Sequence, residues 1–516
     1  MYARLLLLSF VLLTGCAQVQ TPTPSSMLAP AGTHLNSVLQ RQAVKHPGQS
    51  GFRLLESSTD AFTARAELIR MAQRSLDIQY YIVHDGVTTR MLVNELLAAA
   101  DRGVRIRFLL DDTSSDGNDY ALAALAAHPN IEVRVFNPLH IGRSTGVTRY
   151  MGRFLHLSQQ HRRMHNKLLL ADNSVAIVGG RNLGDEYFDA KPEMNFTDLD
   201  LLGAGPVAHQ LGVSFDQYWN SEISQPITGF LRRPPTAHAL TRMRTGLKRY
   251  LDSERVKDSA LYNRLRRYDT APQMEGWLHE LTWANGKALW DAPRKVLAEG
   301  EPDRNLLLTT QLMPSLDDMH KELFLVSAYF VPTQTGVEYL GEKAHEGVDI
   351  RVLTNSLEAT DVPAVHGGYA PYRDELLKQG IKLYEMRNRP EKGLHASPYS
   401  FGQSASSLHS KAMVIDREHT FVGSFNFDPR SILWNTEVGI MVDSPALAGR
   451  VRQLILDGMA LGVSYQVKRV DRDGTTKLIW LEERDGKLYE LDHEPGGLWR
   501  RFNAWIVRAV GLERML

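Results

Sequence analysis

The chain has 516 residues, enough for several domains and a large core. Lys and Arg together number 59, as do Asp and Glu, so the net charge is zero; with 43% hydrophobic and 23% charged residues this excludes a disordered polyelectrolyte and a uniformly basic nucleic-acid binder. A single cysteine, Cys16, excludes an intramolecular disulfide and a cysteine-built zinc cage.

Residues 1–15 read as a secretory signal, with Arg4 ahead of an apolar run from Leu5 to Leu13 and then Thr14 and Gly15. The run is shorter than the roughly 20 residues a bilayer-spanning helix needs. Leu13-Thr14-Gly15-Cys16 resembles the bacterial lipobox, which implies cleavage before Cys16 and a lipid anchor on its sulfur. Ala17 lacks the Asp that commonly retains lipoproteins at the inner membrane, so a periplasm-facing protein sorted to the outer membrane is the preferred expectation. Residues 16–50 are expected to form a tether and lead-in. Its Pro-, Ser- and Thr-rich start, extended at about 3.1 Å per residue, would hold the body tens of Å from the lipid.

Residues 51–225 alternate strand-length apolar runs with amphipathic stretches. Strands are expected over 76–83, 104–111, 131–137, 165–171 and 174–179, and helices over 87–102 and 207–220. Residues 226–305 lose this alternation and are predicted to be a mostly helical, basic insert. From Arg232 to Arg267 it carries 11 Lys and Arg against 3 Asp and Glu, suited either to anionic headgroups or to a solvated helix face. Residues 306–463 repeat the first pattern, with strands over 323–331, 348–355, 381–386, 409–415 and 420–422 and helices over 334–345 and 446–459. Residues 464–516 read as a strand-rich appendix with a terminal helix. There Trp499, Phe502, Trp505 and Ile506 recur at helical spacing among Arg500, Arg501 and Arg508, a pattern equally suited to a membrane interface or to packing on the protein's own sheet.

The two patterned segments are copies. Gly103 to Leu109 recurs at Gly347 to Leu353, and His165, Lys167, Asp172, Gly179 and Asn182 recur as His409, Lys411, Asp416, Gly423 and Asn426, all at an offset of 244. A shared register implies two tandem α/β domains with mixed, largely parallel sheets, related by a pseudo-twofold with the site at their interface.

In HNKLLLAD and HSKAMVID the His and Lys stand two apart on expected strands, so both project from one face. Two such faces brought together supply two imidazoles and two ammonium groups around one pocket, which suits a phosphodiester. One imidazole attacks phosphorus, the other protonates the leaving alcohol, and the lysines stabilise the non-bridging oxygens. The imidazoles must then differ in protonation.

The doubled H-x-K-x4-D followed by G-[GS]-x-N resembles the phospholipase D superfamily over nearly all of residues 50–463. The resemblance implies a phosphohistidine intermediate and no metal or other cofactor. It favours His165 as nucleophile and His409 as acid and base, with the reverse left open by the symmetry. Lys167, Lys411, Asn182 and Asn426 would hold the phosphate. Asp172 and Asp416 close their strands before a turn, which allows turn contacts as readily as a direct chemical role. A carboxylate should orient each imidazole. Glu437 is the candidate 28 residues after His409, and Asp198, 33 after His165, is preferred to Glu193.

LDIQYYI, RGVRIRFLLDD, RRMHNK, VGGRNLGDEYF, FTDLDLLGAGPV and VGSFNFDPRS are more closely similar to the C-type bacterial cardiolipin synthases. This implies transfer of a phosphatidyl group from phosphatidylglycerol to a second phospholipid, phosphatidylethanolamine among the candidates. A hydrolytic phospholipase D is the alternative. A superfamily nuclease fits less well, because no broad basic groove is expected and no nucleic acid is required.

Overall fold

A computed structural model of the chain describes residues 22–113, 119–139, 161–191, 193–231, 233, 235–389, 405–472 and 474–510, the side chains of 505–510 excepted. Cys16 and the expected signal lie outside the described residues, as do the side chains of Trp505, Ile506 and Arg508.

The first half contributes β1 (Ser50–Leu55), β2 (Ser75–Tyr80), β3 (Arg105–Asp111), β4 (Ile131–Phe136), β5 (Leu168–Ala171), β6 (Val175–Gly179), β7 (Met194–Thr197), β8 (Asp200–Ala204) and β9 (Ser224–Pro226). After β10 (Thr282–Trp290) come β11 (Glu322–Ser327), β12 (Asp349–Asn355), β13 (Lys382–Met386), β14 (Ala405–Leu408), β15 (Lys411–Ile415), β16 (His419–Gly423) and β17 (Val438–Asp443). The chain ends in β18 (Ser464–Arg472), β19 (Thr475–Arg484), β20 (Lys487–Leu491) and a helix, Leu498–Val510.

Eighteen strands join in the order β9-β4-β3-β2-β5-β6-β8-β1-β10-β17-β16-β15-β11-β12-β13-β18-β19-β20. From β9 and from β18 inward to β1 and β10 the two halves match strand for strand, as a twofold between duplicates requires, and β19 and β20 extend the second half beyond the match. The halves are mixed α/β, but parallel pairing within this sheet is confined to β2-β3-β4 and β11-β12-β13, so antiparallel pairs outnumber parallel ones and the largely parallel expectation is corrected. The reason lies in two tight hairpins. Asp172 and Asn173 between β5 and β6, and Asp416 and Arg417 between β15 and β16, adopt left-handed φ of 49° to 63°, reversing the chain where a helical crossover would have kept it parallel.

β10 is a strand that the sequence reading did not anticipate within an insert whose residues 237–279 are helical. Its first residues pair with β1 and the rest with β17, stitching the two half-sheets together. A second seam is the two-stranded parallel sheet of β7 and β14, one strand from each half. Between the halves lies a shared core. Val207, Leu211 and Phe215 of helix Pro206–Trp219 and Leu447, Val451 and Leu454 of helix Pro445–Gly458 bury there against Leu168, Val178, Val414 and Val422. Spacings of three and four residues put these side chains on one helix face, and each is worth about 1.5–3 kcal/mol on burial.

The helices of 237–279 pack Leu247, Leu251, Leu265 and Leu278 onto the first half's outer core. Several of their basic side chains bind inward: Arg244 pairs with Asp101, and Arg264 donates to the carbonyls of Phe188 and Asp189. The free-tether reading is also corrected from Thr23 onward. The carbonyls of Thr23 and Ser25 accept from the buried guanidiniums of Arg134 and Arg107, and those of Ala29 and Ala31 accept from Arg74. Among the described residues no helix is long and apolar enough to cross a membrane.

Candidate active site

The motif residues sit where each half takes hold of the other. His165 and Lys167 precede β5, and His409 precedes β15, which opens at Lys411, so three of the four stand before their strands and not on them as expected. The neighbouring half captures the backbone there. The His165 N–H donates to the Thr436 carbonyl (2.9 Å) and the Thr436 N–H to the Arg163 carbonyl (2.9 Å), while the His409 N–H donates to the Thr197 carbonyl (2.7 Å).

Thr197 and Thr436 each precede an acid, and these acids cross over. Glu437 reaches His165 Nδ1 with Oε2 at 2.9 Å and Oε1 at 3.1 Å; Asp198 Oδ2 lies 2.6 Å from His409 Nδ1. Both carboxylates are fully buried in side-chain terms. With Nδ1 committed to a carboxylate, Nε2 is the nitrogen each ring keeps for chemistry. Glu193 is exposed and gives only its backbone carbonyl to Ala405, which settles the choice in favour of Asp198.

The ammonium groups fold back beside the rings, Lys167 donating to the His165 carbonyl (2.5 Å) and Lys411 to that of His409. Tyr81 meets the His165 ring edge-on at 5.0 Å; Tyr187 and Phe196 wall the His409 ring at 5.4 and 5.0 Å. Asn182 accepts from the Ile82 N–H and donates to the Tyr187 hydroxyl, which fixes its amide beside the aromatic wall of His409, and Asn426 accepts from the Tyr329 N–H.

Asp172 and Asp416 have a different place. Asp172 accepts from the N–H groups of Gln73, Arg74 and Ser75 at 2.8 to 3.0 Å, and Asp416 accepts from those of His320, Lys321 and Glu322 at 2.7 to 3.0 Å. Both sit past the far end of the strand from their histidine, anchoring the start of β2 or β11 to the hairpin. Their catalytic assignment is corrected to a positioning one.

Burial pushes His165 well below its usual 6.5, helped by Lys167, Lys411 and His409. Burial and Lys411 also lower His409, but Asp198 opposes the shift. His165 feels the charge of Lys411 and His409 that of Lys167, so each imidazole lies within electrostatic reach of the other half's lysine. Burial also depresses both lysines, Lys167 more than Lys411. The two acids diverge: burial lifts Glu437, whereas for Asp198 burial is outweighed by His409, Lys411 and Arg181, which hold it below the usual carboxylate range. The His409–Asp198 side is thus the better place for a proton on an imidazole, and His165 the better neutral ring.

Sequence reasoning missed what holds Glu437. Its carboxylate accepts from Ser424 (2.5 Å) and Ser431 (2.9 Å), and its N–H donates to Asp291, itself ion-paired with buried Lys295 at 3.0 Å. Ser424 had a signal, since it fills the second position of the G-[GS]-x-N motif; Asp291 and Lys295 follow β10 and carry none. In the first half the matching position is Gly180, where a Cβ would fall 2.1 Å from Asp198 Oδ1. The smaller acid is seated by the missing side chain, the larger one by an added hydroxyl.

A duplicated α/β body with a His-Lys pair from each copy, each ring held by the other copy's acid, defines a phospholipase D-like protein. The family described as cardiolipin synthase, PLD-like domain matches residues 66–219 and 312–457, and the chain belongs to it. Cardiolipin synthase C of Escherichia coli (strain K12) is 39% identical over 479 residues, 92% of this chain and 97% of that one. An uncharacterized protein of Helicobacter pylori (strain ATCC 700392 / 26695) is 33% identical over 88% of this chain and 89% of its own length. Among solved structures, the phosphatidylserine synthase of Haemophilus influenzae Rd KW20 shares the fold, with a TM-score of 0.55 and 11% identity over 93% of this chain and 100% of that one.

Proposed function

We propose that the protein is a phosphatidyltransferase that makes cardiolipin from phosphatidylglycerol and a second phospholipid through a phosphatidyl-histidine. The observation that carries this reading is the exchange of carboxylates, which commits Nδ1 of each imidazole to the other half's acid and leaves two differently tuned rings with Nε2 as the nitrogen for chemistry. Neutral His165 attacks phosphorus through Nε2, forming the N–P bond as the bond to the headgroup oxygen breaks. Protonated His409 gives its Nε2 proton to that leaving alkoxide. In the second half-reaction an acceptor hydroxyl returns a proton to His409, its oxygen attacks phosphorus, and the N–P bond breaks. Lys167 and Lys411, with Asn182 and Asn426, stabilise charge on the non-bridging oxygens; removing one such donor raises the barrier by about 3–4 kcal/mol.

The working unit is the pair of copies, 51–225 and 306–463, held by the seams at β10 and at β7 and β14. Substrates of this kind place the protein at a bacterial membrane. Acylation of Cys16 would anchor it there, facing the periplasm, with the outer membrane preferred. Because the chain is bound to the body from Thr23, only residues 16–22 separate the anchor from it, roughly 20–25 Å when extended.

Purified protein incubated with phosphatidylglycerol vesicles, with and without phosphatidylethanolamine, tests the reaction. Cardiolipin is the expected product; phosphatidic acid alone would mean that water is the acceptor, and cleaved DNA would point to a nuclease. Mass analysis of the mature N-terminus tests the anchor, and an unmodified Cys16 thiol would rule it out.

A further inference from the structure

The loop following β12 is shared by the catalytic mouth and by the terminal helix. At one end Asp361 accepts from the Tyr329 hydroxyl (2.9 Å), and its charge acts on Lys411 and Tyr187. Along the rest of the loop, Arg500 of helix Leu498–Val510 donates to the carbonyls of Leu357 (3.2 Å) and Thr360 (2.6 Å), and Gly496 approaches Leu357 so closely that a Cβ would meet it at 3.0 Å. One turn on, helix Pro363–Tyr369 receives the terminal helix at Gly367, where a Cβ would lie 2.2 Å from the Ala504 carbonyl oxygen. The inner face is therefore fixed by close backbone contact.

The outer face is apolar and open to solvent. Leu498 is 84% exposed, Trp499 72% and Phe502 47%, the two rings lying 5.8 Å apart; Val362, next to Asp361 on the loop, is exposed as well. Side chains as exposed as Leu498 and Trp499 favour burial against an apolar layer. Arg500 and Arg501 lie on the same helix, and their described partners are backbone carbonyls, so among the described residues no carboxylate neutralises them. Apolar residues led by a tryptophan, on a helix whose Arg500 and Arg501 are bound to carbonyls and keep their net positive charge, match the headgroup layer of an anionic bilayer, where an amphipathic helix lies in the plane of the interface.

We infer that helix Leu498–Val510 docks the protein on an anionic phospholipid surface, with Leu498, Trp499, Phe502 and Val362 entering the interface beside the catalytic mouth. The helix settles the choice left open by its sequence by doing both things: one face packs on the protein, the other meets lipid. The orientation of the mouth rests on the phosphatidyltransferase reading; the docking itself rests on the exposed face and its charge.

The test uses the full chain carrying Cys16→Ser, so that no acyl group contributes, and compares it with Trp499→Ser/Phe502→Ser in that background. Sedimentation with phosphatidylglycerol vesicles should weaken at least tenfold in the double variant, and the ratio of turnover on vesicles to turnover on monomeric short-chain phosphatidylglycerol should fall by a similar factor. Trp499→Phe/Phe502→Trp, which exchanges the rings, should retain both. The inference is overturned if the serine variant sediments like its parent, if the turnover ratio is unchanged, or if the exchanged variant loses vesicle binding to the same extent. Should the parent turn over neither substrate, the phosphatidyltransferase reading fails and sedimentation alone decides the docking.

Discussion

Glu437 Oε2 lies 2.9 Å from His165 Nδ1, although the two residues belong to opposite copies of the repeat. Asp198 and His409 repeat the relationship in the other direction. Neither copy therefore contains a complete His–acid pair, and each ring's tautomer depends on the docking of its neighbour. Glu437→Gln and Asp198→Asn preserve shape but remove the charge that orients the ring, and each should lower kcat roughly 10²- to 10⁴-fold. Proton NMR of the imidazole N–H groups separates the exchanged pairing from a pairing within each copy: Glu437→Gln should abolish the downfield Nδ1 resonance of His165 and leave that of His409. Loss of the His409 signal instead would contradict the exchange.

The motif position that is Gly180 in one copy and Ser424 in the other predicts an asymmetry. Gly180→Ser drives a side chain into the space of the Asp198 carboxylate, 2.1 Å from a Cβ there, and displaces the group that orients His409. A misplacement of about 1 Å in such a site can lower turnover roughly 100-fold. Ser424→Gly removes one hydroxyl donor to Glu437, which keeps Ser431, together with the acceptor of the Val438 N–H, and a single hydrogen bond to a charged group contributes about 1.5–3 kcal/mol. Steady-state rates should rank Gly180→Ser well below Ser424→Gly. Equal rates would mean that the two carboxylates are seated alike.

Most of the strands, the duplication and the His-Lys groups were legible because each leaves a local trace: an apolar run, an in-register repeat, a fixed spacing. What escaped was non-local. Thr282–Trp290 contains Asn285-Gly286 and no clean alternation, since its two ends pair with different halves of the sheet, with Phe52 packed where a Gly286 side chain would go. The carboxylate exchange was equally hidden, because a distance of 28 or 33 residues along the chain says nothing about which histidine an acid faces. Asp172 and Asp416 misled for the opposite reason. They belong to the motif but act on backbone N–H groups, and conservation of spacing between copies cannot distinguish a turn anchor from a reacting group.

Asp200, adjacent to the site at the start of β8, is the hinge of a buried charge cluster. Its carboxylate meets Arg65 at 2.9 Å and Arg181 at 3.2 Å, all three fully buried. Asp200→Asn leaves the Arg65 guanidinium without its counter-charge in the interior and Arg181 with Asp198 alone, and losing one partner of a buried pair typically lowers stability by about 3–5 kcal/mol. Arg181 also donates to the Asp198 carbonyl (2.6 Å), so activity should fall along with stability. Urea unfolding measures the first and cardiolipin formation the second; a variant as stable as the parent would show that Arg65 and Arg181 are adequately solvated without the acid.

The pH dependence follows from the unequal displacement of the two imidazoles. Burial lowers both, His165 further than His409, because Asp198 stabilises the protonated form of His409. Turnover needs neutral His165 and protonated His409. As pH rises through the value of His165 the nucleophile is released and kcat/KM climbs; as it rises through that of His409 the acid is lost and kcat/KM falls. Both groups lie below 6.5, so on a monomeric short-chain substrate the maximum should fall on the acid side of that value. Asp198→Asn removes the charge that holds His409 up, so the descending limb should move to still lower pH while the ascending limb, set by His165 beside Glu437, stays nearly in place. A descending limb that moves upward, or an ascending limb that moves instead, would reverse the assignment of nucleophile and acid.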